Sequence, residues 1–433
     1  MIIGNPPFIG KKDFSISLRE NLIRLSKNLE YDPKQLKNAW AAFVLASHEL
    51  LTPSGVLAFI VPFELLTVSY GKFLQKSVFH RFERVDIFVP DDKVFRDLDQ
   101  DVVVLLAQKT SIEPQGTFVH RISSFRDMSP NITRRLEPIS GRDHSIDLKS
   151  YLLNLDTLEL LYKLRESSKI IGDFLQCSPG LVTAANDYFI LPIQEAKRLG
   201  LMKWSYPVLK KGSSMSKCPV FSNNDFRDLV QANAPTQFIH LPGSDLDNFT
   251  TEVKDYIRFG EASGIDQRFK CRNRTYWHEV PLVQRSEGFF FRRSHDLPRL
   301  CVNEAGVLTT DTAYQIRSNP DISIRGICYS FYNSLTLLFT EIDGRSYGGG
   351  VLELTPGEFR GLPISYYEPN DHQFGQFVSN HLNAKGNEDD IVLLGDEVLS
   401  SVLQLSYAEI ECLKRARRTL RSYRTRHSTA AAA

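Results

Sequence analysis

The stretch Met1-Ile2-Ile3-Gly4-Asn5-Pro6-Pro7-Phe8 decides how this chain of 433 residues is read. Ile2 and Ile3 look like the end of a buried strand that runs at once into Gly-Asn-Pro-Pro-Phe. Two consecutive prolines fix φ and remove two backbone donors, which leaves a rigid extended loop whose carbonyls are free to accept hydrogen bonds. Open α/β sheets bind their ligands at the carboxyl ends of strands, where this loop lies. The Asn5 side-chain carbonyl and the Pro6 carbonyl can together accept both hydrogens of one exocyclic amino group, while Phe8 offers a stacking face for a planar base. Held so, the nitrogen lone pair is drawn out of conjugation and can attack an electrophilic carbon. The plain alternative is a turn, with Asn5 making an Asx-turn and the prolines a stop.

The pattern downstream is that of an α/β sheet. Residues 14–50 carry helical spacing, with Leu18, Leu22 and Leu25 on one face and Trp40, Phe43, Val44 and Leu50 later, before a break at Pro53-Ser54-Gly55. Residues 56–61 (VLAFIV) form a continuous apolar run, a helical stretch is expected over 65–79, and further runs follow at 85–89 (VDIFV) and 102–107 (VVVLLA). Apolar runs alternating with helices indicate a sheet buried on both faces. The last two runs are close enough to form an antiparallel hairpin, expected at the sheet edge. Residues 151–165 read as an amphipathic helix, 170–369 as short mixed α+β segments, and 395–427 as a helix that turns basic.

Composition supports a folded, water-facing protein. Lys+Arg is 52 against Asp+Glu 51, so no bulk attraction to a polyanion exists and any such site must come from local clustering. The six cysteines stand apart, with no CxxC pair and no HExxH, which predicts reduced thiols and no metal site. The start lacks the features of a signal peptide, and no apolar run approaches the ~18 residues that span a bilayer. A cytoplasmic protein with no membrane partner is expected.

At the Asn-Pro-Pro-Phe tetrad the sequence resembles the N6-adenine DNA methyltransferases of restriction–modification systems. Residues 40–66 are similar to that family's helix, Pro/Gly turn and strand ending in Val-Pro, and residues 94–109 to its later hairpin. The resemblance implies a partial Rossmann-like class I methyltransferase sheet, with Asn5, Pro6, Pro7 and Phe8 catalytic and the target base stacked between Phe8 and Phe95. Burial frequencies leave a second reading of Phe95, as a plug at the start of a strand. Ribosomal RNA and release-factor glutamine methyltransferases share the tetrad, so the choice of substrate rests on the residues downstream of it. Its chemistry suits cytosine N4 as well; the form of the tetrad and the downstream resemblance favour adenine.

Residues 178–191, 268–281 and 299–363 resemble the family's target-recognition portion. One departure is Ala185, preceded by Ala184, where the family has Gly before Asn186; it is expected to alter the local turn only. Residues 258–299 hold nine Lys/Arg against five acids, interleaved with Phe259, Phe269, Tyr276, Trp277, Phe289, Phe290 and Phe291, a density that suits phosphate contacts and base readout. DNA contacts are expected from Arg268, Lys270, Arg272, Arg274, Trp277, Arg292, Arg293, Asn303, Thr310 and Arg345. Solvated surface charge accounts for the same cations, and turn or cap roles for Asn303 and Thr310. Gly348-Gly349-Gly350 leads into a strand and reads as a turn permitting close approach of DNA or of the catalytic domain. The basic helix, Lys414 to Arg426, has three readings: a grip on phosphates, packing on an acidic partner, or a solvated face.

A methyltransferase of the resembled kind holds S-adenosylmethionine on a Gly-rich loop that precedes the tetrad. Here four residues precede Asn5, and no later segment offers strand, Gly-rich turn and helix. The cofactor pocket is therefore expected on a second polypeptide, with Asn5 and Pro6 at its edge. The expectation is a split adenine-N6 methyltransferase that binds double-stranded DNA, the alternative being an inactive specificity subunit. No paired-acid and Lys cluster suggests a nuclease, so cleavage is assigned to a cognate restriction endonuclease. The expected domains are 1–125 for the catalytic half, 126–169 for a helical linker, 170–370 for target recognition and 371–433 for a helical basic tail.

Overall fold

A computed structural model describes residues 1–29, 38–66, 79–91, 102–111, 114–124, 126–136, 152–215 and 218–425. It is mixed α/β and divides into two compact units: Met1–Lys163 with Glu341–Leu352 and Arg415–Ala433, and Leu164–Thr340 with Glu353–Lys414. Among the described residues no helix is long and apolar enough to cross a membrane.

The first unit is built on a six-stranded sheet. Its strands are β1 (Ile2–Gly4), β2 (Val56–Pro62), β3 (Arg84–Pro90), β4 (Val102–Gln108), β5 (Gly116–Ser124) and β6 (Asp127–Leu136), ordered β1-β2-β4-β3-β5-β6. Val- and Ile-rich runs suit a pleated surface covered on both sides. In β2, Leu57, Phe59 and Val61 are buried and the alternate residues half-buried. Helices α1 (Ile16–Leu29) and α2 (Ala39–Leu50) precede β2, and α2 packs on it, with Trp40 and Val44 inside. Phe43 and Leu50, which belong to the same helical pattern, are 43% and 78% exposed. Most of the helix expected over 65–79 lies outside the described residues.

The expected β3–β4 pairing is present, but not at an edge. β4 runs antiparallel between β2 and β3, and the sheet continues through β5, parallel to β3, to β6. Residues 127–136, expected to open a helical linker, are thus a strand. The strand before it, β5, was not read either, because it carries His120 on a buried face, which interrupts its apolar run. His120 Nε2 meets Asp86 Oδ1 at 2.7 Å, and Arg84 donates to the same carboxylate at 2.8 and 3.0 Å. Burial opposes the charge on Asp86, but these hydrogen bonds outweigh it and hold the carboxyl below the ordinary range.

The second unit holds a four-stranded sheet (308–309, 205–209, 235–239, 190–192) and a five-stranded sheet (220–221, 300–303, 288–291, 313–318, 175–179). Phe289, Phe290 and Phe291 lie in the central strand of the second sheet and are 0%, 0% and 5% exposed. They form its core, so they cannot stack on a base as the sequence reading allowed.

Helices follow at Asp371–Asn383 and Glu388–Val402. His381 is wedged between Tyr332 and Phe377, with ring centroids at 4.5 and 4.3 Å, and its Nδ1 donates to the Phe377 carbonyl. Burial, only partly offset by that bond, pushes the imidazole down to about 4 from its ordinary 6.5. An unfolded chain binds the proton near 6.5 and the folded one resists it. His381 therefore contributes stability to the second unit that is full above pH 6.5 and falls by about 3 kcal/mol toward pH 4. Equilibrium unfolding of His381→Leu should show a flatter stability slope over that window by about one proton; an unchanged slope would remove His381 as the cause.

Candidate functional site

The Asn-Pro-Pro-Phe loop leaves the carboxyl end of β1, which lies parallel to β2 with Ile3 opposite Ala58 and Gly4 opposite Phe59. A Cβ on Gly4 would sit 3.2 Å from Phe59 Cε1, so this position favours glycine. Behind the loop, the Ile9 carbonyl accepts from Ala39 N at 2.9 Å and Gly10 bridges Asn38, tying the segment to the start of α2. Pro6 is buried, Phe8 half-buried, and Asn5 and Pro7 are exposed. Asn5 has no hydrogen-bond partner among the described residues. Its amide is thus offered outward from a fixed base.

Pro62, ending β2, pairs with Val102, which opens β4, and β3 also ends at this side of the sheet. Phe95 lies outside the described residues; the flanking Asp91 and Val102 both belong to this edge. Sequence reasoning missed what else is here. Tyr423 donates to Asp91 Oδ1, which also accepts from Arg121 Nε at 2.8 Å, and the Tyr423 ring stacks on Phe63 with centroids 6.4 Å apart.

These contacts recast the basic tail. In the helix Tyr407–Thr425, Arg417 and Arg424 are 4% and 5% exposed. Arg424 makes two hydrogen bonds to Glu341, at 2.7 and 2.8 Å, and donates to the Gly350 carbonyl. Lys414 pairs with Asp396 and Glu411. Arg417 and Arg424 are therefore internal, while Arg415 and Arg418 are exposed. The Gly348-Gly349-Gly350 turn, with φ of 72° at Gly349 and 73° at Gly350, receives Arg424, and Arg345 is half-buried in the strand before it.

In the second unit the expected DNA residues separate into two groups. Arg268, Lys270 and Arg272 are exposed, as is Arg293, although Arg292 and Arg293 both bond to Glu353. That carboxyl is held low because the two guanidinium hydrogen bonds overcome its burial. Arg274 is committed inward: it donates to the carbonyls of Val182, Thr183 and Trp277 at 2.9, 3.0 and 3.2 Å. Trp277 donates to Glu261 and, with Tyr276, lines a cavity of about 430 Å³. Asn303 spends its amide on Ser286 O, Val307 O and Val307 N, and Thr310, fully buried, donates to Lys210 O. Asn303 thus holds a turn, as the second reading had it, and Thr310 is a buried core residue; Gly306, three residues after Asn303 with φ 59°, was the signal for the turn.

Arg274 and Arg268 both donate to the loop 182–184, whose Ala184 has φ 64°. The strained position is thus Ala184 rather than the expected Ala185. An L-residue with a Cβ is penalised there and glycine is not. Ala184→Gly should stabilise the second unit by about 0.5–1 kcal/mol in thermal unfolding; a loss of stability would show that the strain is illusory.

Comparison with known proteins gives a consistent picture. Residues 146–400 match the family described as Type II methyltransferase M.Eco57I, C-terminal domain, and residues 1–95 the family described as Eco57I restriction-modification methylase. The Type II methyltransferase M.AccI of Acinetobacter calcoaceticus is 22% identical over 93% of this chain and 75% of its own length. The Type IIL restriction-modification enzyme MmeI, solved in complex with DNA, shares the fold at a TM-score of 0.58 and 11% identity, over 97% of this chain and 57% of that one. The type IIG restriction endonuclease BpuSI is 14% identical with a TM-score of 0.43, over 99% of this chain and 54% of that one. The chain thus spans little more than half the length of these two solved structures.

Proposed function

Because this chain belongs to the family of the Type II methyltransferase M.Eco57I, C-terminal domain, we propose that it supplies the amino-group-binding and target-recognition parts of a site-specific DNA adenine-N6 methyltransferase. The observation that carries the reading is Asn5, exposed and without a hydrogen-bond partner among the described residues, next to a buried Pro6 at the carboxyl end of the parallel pair β1–β2. On this reading the six-stranded sheet is a partial Rossmann-like class I methyltransferase sheet.

A target adenine, taken out of the duplex, stacks on Phe8, with Phe95 as its second face. Asn5 Oδ1 and the Pro6 carbonyl accept the two N6 hydrogens and fix the direction of the nitrogen lone pair. Positioning is the main device, since the loop is tied to α2 before substrate arrives. Arg268, Lys270, Arg272 and the exposed side of Arg293 meet double-stranded DNA through its phosphates, a role Arg345 shares.

S-adenosylmethionine supplies the methyl group when bound. The described residues alone do not form its cradle: the triple-glycine turn joins strand to strand and presents no helix N-terminus. Asn5 and Pro6 stand only at the edge of such a site. The rest comes from a portion outside these residues, in this reading a second polypeptide. Support for its docking place is the free edge of β1, which among the described residues pairs with β2 alone and leaves Ile3 69% exposed. Parallel strands are rarely left uncovered. Acting on DNA, the enzyme belongs in the cytoplasm, with a cognate restriction endonuclease as a further partner.

The test is product analysis. The enzyme complete with its cofactor-holding portion, given S-adenosylmethionine and duplex DNA, should yield N6-methyladenine on nucleoside digestion. N4-methylcytosine, or no methylated base at all, would overturn the proposal.

A further inference from the structure

The one-turn helix Phe269–Arg272 presents a side chain that the phosphate contacts above leave unused. Phe269 is 71% exposed, whereas Cys271, two residues on, is wholly buried in the core of the second unit. Arg274 ties the same segment inward through Val182, Thr183 and Trp277, and Asn273 Nδ2 closes the turn on the Phe269 carbonyl at 2.6 Å. The ring therefore stands in water on a base held from behind, and little conformational freedom remains to be lost when it meets a partner.

Its surroundings are cationic. The Arg272 guanidinium lies 5.5 Å from the Phe269 ring centroid, and Arg268 and Lys270 flank it, both exposed. An aromatic ring ringed by cations suits neither an apolar protein interface, whose centre is depleted of charge, nor a membrane interior. It suits the one partner that offers π-faces and anions at a short, regular spacing, a nucleic acid.

We infer that Phe269 is a wedge that enters between adjacent base pairs of the bound duplex, while Arg268, Lys270 and Arg272 hold the phosphates beside the opened step. The inference rests on the DNA reading and adds a distortion of the duplex distinct from extrusion of the target base. Leucine can serve as such a wedge and alanine cannot.

The experiment uses the complete enzyme and duplexes drawn from those it methylates, with 2-aminopurine placed at successive positions. Wild type and Phe269→Leu should raise fluorescence at a fixed step, and Phe269→Ala should lose that rise and bind about tenfold more weakly with an unchanged salt slope. Arg272→Gln should instead lower the salt slope by about one. Because Phe269 is exposed, circular dichroism of Phe269→Ala should match wild type. If Phe269→Ala binds and unstacks DNA like wild type, the wedge is refuted and the DNA reading stands. If wild type binds no duplex, the reading beneath it fails as well.

Discussion

Asn5→Ala, made in the complete enzyme, should lower the rate of methyl transfer by about 10²–10³-fold while DNA affinity stays within a few-fold. The size follows from removing one pre-aimed polar group from a fixed reacting geometry. Asn5 is exposed and has no partner among the described residues, so truncating it breaks nothing in the fold. Its place at the end of β1 is set by the pairing of Gly4 with Phe59 and by the anchorage of Ile9 to Ala39, neither of which involves the Asn5 side chain. Asn5→Asp still accepts a hydrogen bond and should retain a measurable fraction of the rate. Single-turnover methylation separates the chemical step from binding. Asn5→Ala turning over within threefold of wild type would remove Asn5 from the reaction.

Glu341→Gln should cost the first unit about 3–5 kcal/mol, the range for breaking a buried ion pair from one side. Glu341 and Arg424 are each 2% exposed at the side chain, and their two hydrogen bonds are charge-assisted. With the carboxylate gone, the guanidinium keeps the Gly350 carbonyl but loses the Glu341 charge. Arg424→Leu on the Glu341→Gln background should recover part of the loss, because the buried guanidinium that Glu341 offset is then gone as well. Urea unfolding of the singles and the double closes the cycle. A single variant costing under about 1 kcal/mol would mean that water reaches the pair.

The same pair shows why part of the molecule was legible from sequence and part was not. β2 and β4 were read to within a residue because their Val-, Ile- and Leu-rich runs are local signals. β5 escaped because His120 breaks its apolar pattern, and what makes a histidine tolerable there is Asp86, 34 residues away. The burial of Arg424 could not be read from its helix because the carboxylate that meets it, Glu341, lies 83 residues upstream. The tetrad was legible for the opposite reason: Asn, two prolines and an aromatic are adjacent, and their chemistry needs no distant partner. The exposed cations 268–272 were legible as charge, but the inward turn of Arg274 depends on the carbonyls of residues 182 and 183.

The first unit is assembled from three separated stretches, 1–163, 341–352 and 415–433, with the second unit threaded between them. During synthesis the six strands emerge early, yet Tyr423 and Arg424 reach Asp91 and Glu341 only after the whole of the second unit has been made. Until then Asp91 and Glu341 lack the contacts that Tyr423 and Arg424 bring. Replacing the second unit must therefore preserve four junctions, near residues 163, 340, 353 and 414. A cut at the first junction alone would carry off Tyr423, which bonds to Asp91 and stacks on Phe63 in the first unit.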